Sequence, residues 1–219
     1  MDRRRALETL LIAALWPALG GCTKKGANRM SRTIELRELL VEVSLEMSEA
    51  ALSLSYTATN KIDETLFLLD GLHDEIGNEG ILPMRDAPWV EFAADSVTLS
   101  RKLIMPPPDI DVETLNYPLP TRLPPGQSHQ GRMTVGLPLL PATPYRRYRA
   151  SHRPVVEQRP LFFELGFIRG RPGLESIARP VNTSEGPRPA FPSIDEQGQL
   201  VARLGPLGTI GVMTNAVED

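Results

Sequence analysis

Two stretches near the start of the chain alternate apolar and polar residues so strictly that they are incompatible with a helix. Val41-Glu42-Val43-Ser44-Leu45-Glu46-Met47 places every second side chain on one face, and Leu52-Ser53-Leu54-Ser55-Tyr56-Thr57-Ala58-Thr59 does the same with β-favouring residues. On a helix this pattern would scatter the apolar groups around the axis; on a strand it collects them on one side. Ser48-Glu49-Ala50 leaves room only for a short turn, so the pair predicts an antiparallel hairpin with one buried face. Glu35, Arg37 and Glu38 are good helix formers just upstream, and the alternation overrides them.

The remainder of the chain fits a sheet protein. Proline occurs 21 times in 219 residues, about twice average usage, and prolines set between apolar runs argue against a helical bundle. Asn60-Lys61-Ile62-Asp63 is turn chemistry, and Leu66–Leu69 reads as a buried strand. Trp89–Phe92 and Val97–Arg101 read as further strands before the stiff Pro106-Pro107-Pro108 segment. Leu123-Pro124-Pro125-Gly126 predicts a tight turn, with glycine at the position that needs positive φ. Met133–Leu140 reads as another strand. Leu161–Ile168, apolar throughout except Glu164 and Gly166, predicts a central strand covered on both faces. Gly170–Pro192 shows no periodicity, and Leu200–Met213, broken by Gly205-Pro206 and Gly208, predicts an edge hairpin. Seven or so short strands separated by turns predict an all-β fold, an immunoglobulin-like antiparallel β-sandwich with Pro-rich loops.

The first 22 residues, MDRRRALETLLIAALWPALGGC, have a different character. Arg3, Arg4 and Arg5 precede an apolar run from Leu10 to Leu19, which ends on small residues and a cysteine: the layout of an export leader. The run is roughly half the ~20 residues that a membrane-spanning helix needs. Leu19-Gly20-Gly21-Cys22 resembles the bacterial lipobox. That resemblance implies a lipid-attachment site at Cys22, which would carry diacylglycerol and fatty acyl chains such as palmitate and become the new N-terminus. Asp2-Arg3-Arg4-Arg5-Ala6-Leu7 resembles a twin-arginine export signal, although three arginines suit the general secretory route equally. Thr23 after the cysteine, where inner-membrane lipoproteins of this kind carry Asp, implies an outer-membrane anchor facing the periplasm in a Gram-negative cell. The expected organisation is a signal peptide over 1–21, a lipidated tether over 22–35, a sandwich over 36–169 and a Pro/Gly-rich extension over 170–219. Cys22 is the single cysteine, so the domain has no disulfide framework to lean on.

Charge and motif content narrow the function classes. The net charge is −3, which gives no global basic field for nucleic acid. His73, His129 and His152 are the only histidines. No nucleophile elbow, His-Glu-x-x-His pair, phosphate-cradling loop or dinucleotide fingerprint occurs, so no enzyme class or cofactor is implied. Asp70-Gly71-Leu72-His73-Asp74-Glu75 and Asp109-Ile110-Asp111 hold metal-ligating residue types without a calcium-loop pattern, and both read as solvated loops.

One segment is a candidate binding surface: Tyr145-Arg146-Arg147-Tyr148-Arg149-Ala150-Ser151-His152-Arg153. Guanidinium groups grip carboxylate or phosphate through paired bonds, and aromatic neighbours add stacking. Its alternative reading is a strand edge whose outward arginines prevent sheet-to-sheet pairing. Val43–Asn60, Leu66–Asp70 and Leu123–Gly126 together resemble the BsuPI-type proteinase inhibitor domain, over less than half the chain. That resemblance implies a small sandwich and makes protease inhibition an alternative function, with Met105–Asp111 as an extended, proline-stiffened inhibitory element. The leading expectation is a non-enzymatic, lipid-anchored envelope protein that binds an envelope protein or an anionic envelope component. A third expectation is a subunit of an envelope assembly joined through an edge strand.

Overall fold

The computed structural model describes residues 28–74, 80–171, 173–194 and 198–218. The leader and Cys22 lie outside the described residues, as does Glu75. The alternating stretches form the expected hairpin: β2 (Leu39–Met47) runs antiparallel to β3 (Ala51–Asn60), with Met47 opposite Leu52 and Leu39 opposite Asn60. Leu39, Val41, Val43 and Leu45 on one strand, and Leu52, Leu54, Tyr56 and Ala58 on the other, are all buried. The glutamates and serines between them point the other way, as a period of two requires.

Two further strands complete this sheet. β1 (Asn28–Glu35) pairs with β2, and β8 (Ser128–Gly136) pairs with β3, giving the order β1-β2-β3-β8. Residues 28–35 therefore belong to the sheet and not to a tether. β8 also lies upstream of the expected Met133–Leu140, because pairing stops before Pro138, which has no N–H to donate. The turn that launches β8 is as expected: the Gln127 N–H donates to the Pro124 carbonyl at 3.1 Å, and Gly126 has φ of +69°.

The second sheet runs β5 (Trp89–Phe92), β6 (Val97–Arg101), β10 (Val156–Arg169), β4 (Leu66–Gly71), β7 (Leu119–Leu123). β10 occupies its centre as predicted. The arrangement is not purely antiparallel, however, since β6 and β10 pair in parallel, with Leu161 opposite Val97. The long chain between them supplies the crossover that a parallel pair needs.

The C-terminal residues depart most from expectation. β13 (Leu200–Leu204) and β14 (Thr209–Met213) do not form a hairpin with each other; both lie antiparallel along β10. Phe163 faces Leu204 and Pro160 faces Thr209, so two extra residues bulge between them. Gly205-Pro206-Leu207-Gly208 is that bulge, with a proline that cannot donate and two glycines at positive φ. Leu161 spans it, its N–H donating to Gly208 and its carbonyl accepting from Leu207.

The two sheets bury one core between them, with β2 and β3 side chains meeting Leu66, Leu68, Leu99, Leu123, Phe163, Leu165, Phe167 and Val212. A second, smaller core lies on the outer face of the second sheet, where Phe67, Leu69, Leu103 and Ile168 meet Phe191 and Ile194. This explains why all six β4 residues are buried: alternate side chains serve different cores. The stretch without periodicity, with Ile194 just beyond it, supplies that cover. It carries α1 (Leu174–Ile177) and a hairpin of β11 (Arg179–Thr183) with β12 (Gly186–Ala190). Their sequences, RPVNT and GPRPA, lack apolar alternation, so periodicity gave no sign of them. β9 (Tyr148–Arg149) and β15 (Val217–Glu218) form a short outlying pair.

Candidate functional site

The Tyr145–Arg153 segment is tied into the protein surface. The Tyr145 hydroxyl accepts the Asn116 N–H at 3.3 Å. Arg146 pairs with Asp109 and reaches Glu218 at 3.6 Å, and Arg147 pairs with Asp74 at 2.8 Å. Tyr148 and Arg149 form β9, and Arg153 is exposed beyond it. Both segments singled out in the sequence line one groove of about 400 Å³, which Met105, Pro107, Arg146 and Tyr148 share with Val90 and Phe92. Met105–Asp111 is not fully extended: the Ile110 N–H donates to Pro107 at 3.0 Å, closing a turn. Asp109 is engaged by Arg146 and is not a free ligand.

A different constellation gathers where β3, β4, β7 and β8 meet. Asp70 is 4% exposed, on the inward face of β4. Its Oδ2 accepts the Tyr56 hydroxyl at 2.7 Å and faces His129 Nε2 at 2.8 Å, while its Oδ1 accepts the Thr121 hydroxyl at 2.6 Å. The Arg101 guanidinium donates to the Asp70 backbone carbonyl at 2.8 Å. Burial alone would raise the Asp70 pKa, yet His129, Thr121 and Tyr56 together hold it below the ordinary carboxylate value. Burial and the Asp70 charge push the Tyr56 hydroxyl well above the usual tyrosine range, so it remains a donor.

Local sequence makes room for this cluster. Gly131 sits opposite Tyr56 in the β3–β8 register, and a Cβ there would fall 2.2 Å from the tyrosine ring. Only glycine lets the ring lie across β8 towards Asp70. Asp70 and His73, expected in a solvated loop, are instead buried. The apolar run continues through Asp70 into Gly71, and His73 is also buried, with both ring nitrogens 2.9 Å from backbone carbonyls of Asp74 and Tyr117. Glycine inside the strand pattern at Gly131, directly after His129-Gln130, is the one local sign that a close approach occurs here.

Above Asp70 opens a cleft of about 170 Å³, whose lining includes His129 and four arginines: Arg85, Arg101, Arg132 and Arg188. Because His129 Nε2 faces the carboxylate, that nitrogen carries the proton, and Nδ1 makes no hydrogen bond among the described residues. The aliphatic hydroxyl in the described lining, that of Thr121, is committed to Asp70. The arrangement can therefore hold a ligand and orient an imidazole, but it presents no alcohol or thiol nucleophile among the described residues. Among those residues, no group of three His, Cys, Asp or Glu side chains is placed to hold a metal ion.

The chain matches no protein-family model, no curated protein and no solved structure.

Proposed function

We propose that this protein is a non-enzymatic, lipid-anchored envelope protein, held outside the cytosol through Cys22, whose β-sandwich binds an envelope protein or an anionic envelope component. The observation that carries the reading is the position of β1, which begins at Asn28 and pairs along its whole length with β2. Six residue steps separate Asn28 from Cys22, a reach of at most about 20 Å for a fully extended chain. An acylated Cys22 would hold the sandwich against the headgroups and fix which end faces the membrane. By register, Asn28, the turn at 48–50 and Gly136 share that end, and the 61–65 and 124–127 turns point away. Several acyl chains on one terminus give stable anchoring where a single chain gives only marginal binding.

Fractionation of cells producing the full chain or Cys22→Ala tests the anchor. The account expects the native protein in membranes and the variant in the soluble fraction, with unchanged circular dichroism. Membrane retention of a correctly exported Cys22→Ala protein would overturn it.

A further inference from the structure

We propose that the cleft beside Asp70 is a binding site for a small oxyanion, a carboxylate or phosphate group gripped by Arg101, Arg132 and Arg188, with the His129 ring in its wall. This inference concerns the cleft alone and does not depend on the anchor. Four arginines converge there from separate parts of the chain: the loop before β5, the end of β6, the middle of β8 and β12. Three carboxylates share the lining, Asp70, Asp86 and Glu185, against four arginines. Asp70 is moreover turned inward and saturated by Tyr56, Thr121 and His129. The arginines of the lining exceed its carboxylates by one, and a narrow cleft with surplus positive charge attracts an anion.

The hydrogen-bond inventory points the same way. The Nε–H groups of Arg85 and Arg101 are buried and have no acceptor among the described residues. Arg101 spends its terminal nitrogens on the backbone carbonyls of Asp70, Asp86 and Arg132, and it has no carboxylate partner among the described residues. Arg132 has no carboxylate partner among the described residues. Arg85 is held by Asp74 at 3.2 Å and lies 4.7 Å from the Trp89 ring centre, which makes it a wall of the site. Arg188 bonds Glu185 at 2.5 Å and can share its remaining donors. Guanidinium forks match the geometry of carboxylate and phosphate oxygens. At about 170 Å³ the cleft takes one such group and not a whole nucleotide, since pockets that enclose drug-sized ligands run to roughly 300–1,000 Å³.

The test uses the full chain in detergent, with histidine ring nuclei labelled for NMR. Three histidines give three ring signals, and His129→Gln identifies the one of interest. Sodium phosphate or sodium acetate is titrated in at millimolar concentration, with sodium chloride at matched ionic strength as control. The expected result is a saturable shift of the His129 signal with phosphate, acetate or both, no shift with chloride, and fixed His73 and His152 signals. Arg132→Gln, an exposed change that leaves the melting temperature in place, should weaken the binding roughly tenfold. No movement of the His129 signal with either anion, or an equal response to chloride, would overturn the proposal. So would undiminished binding by a folded Arg132→Gln, Arg188→Gln double variant.

Discussion

Asp70 and Glu164 lie in the same sheet, on opposite faces, and both are buried, yet they are neutralised in different ways. Glu164 meets two full cations, Lys102 at 2.5 Å and Arg203 at 2.9 Å, and Lys102 is further held by Glu91 at 3.1 Å. That network joins β10 to β13 and to the end of β6, and its charges are matched within itself. Asp70 instead accepts two neutral hydroxyls and one imidazole. Its oxygens are occupied below the cleft, and no arginine above forms an ion pair with them among the described residues. The first arrangement locks strands together; the second holds a histidine in place and keeps a cationic mouth open. In this protein the carboxylate answered by Lys102 and Arg203 clamps strands, and the one answered by hydroxyls and an imidazole lies beside the cleft.

Removing each carboxylate tests that contrast. Asp70→Ala strands three donors in the interior and should cost about 4 kcal/mol of stability, measured by urea unfolding. Glu164→Ala should cost less, about 3 kcal/mol, because Arg203 is half exposed and Lys102 keeps Glu91. A reversed order would mean that the hydroxyl donors contribute little. Gly131→Ala leaves every charge intact but forces Tyr56 off Asp70. It should cost about 2 kcal/mol and raise the exposure of the tyrosine to solvent, read by its absorbance.

The gentlest probe changes only the pH, and the two clusters fail at opposite ends. The folded Asp70 pKa lies below the ordinary carboxylate value, so its contribution is present above that ordinary value and is lost as pH falls through the folded one. Burial disfavours the Lys102 charge, but Glu91 and Glu164 hold its pKa above the ordinary lysine value. That contribution is fully present below the ordinary lysine value and lost as pH rises through the folded one. Urea midpoints across the pH range should show Asp70→Asn flattening the acid limb and Glu164→Gln the alkaline limb. An acid limb unchanged in Asp70→Asn would break the comparison.

The same contrast explains what was readable in the sequence. The first sheet has one wet face, so β2 and β3 print their register as alternation, and Pro124-Pro125-Gly126 prints the turn into β8. The second sheet is covered on both faces around β4, and alternation vanishes where Leu66–Leu69 serve two cores at once. Its remaining cover comes from Phe191 and Ile194, single apolar residues in a proline-rich stretch with no period to betray them. The Asp70 cluster was hidden for a related reason. Tyr56, Thr121 and His129 come from three strands brought together by pairing, and no spacing in the chain links them. The arginines of Tyr145–Arg153 were conspicuous because they are adjacent, yet Arg146 and Arg147 pair with Asp109 and Asp74, whereas the scattered Arg101 and Arg132 have no carboxylate partner among the described residues.

Intact-mass analysis of the protein extracted from its native membrane tests the proposed anchoring most directly. The account predicts a chain beginning at Cys22, heavier than its sequence by a diacylglycerol and further acyl groups. A terminus at Met1 with an unmodified thiol at Cys22 would contradict it.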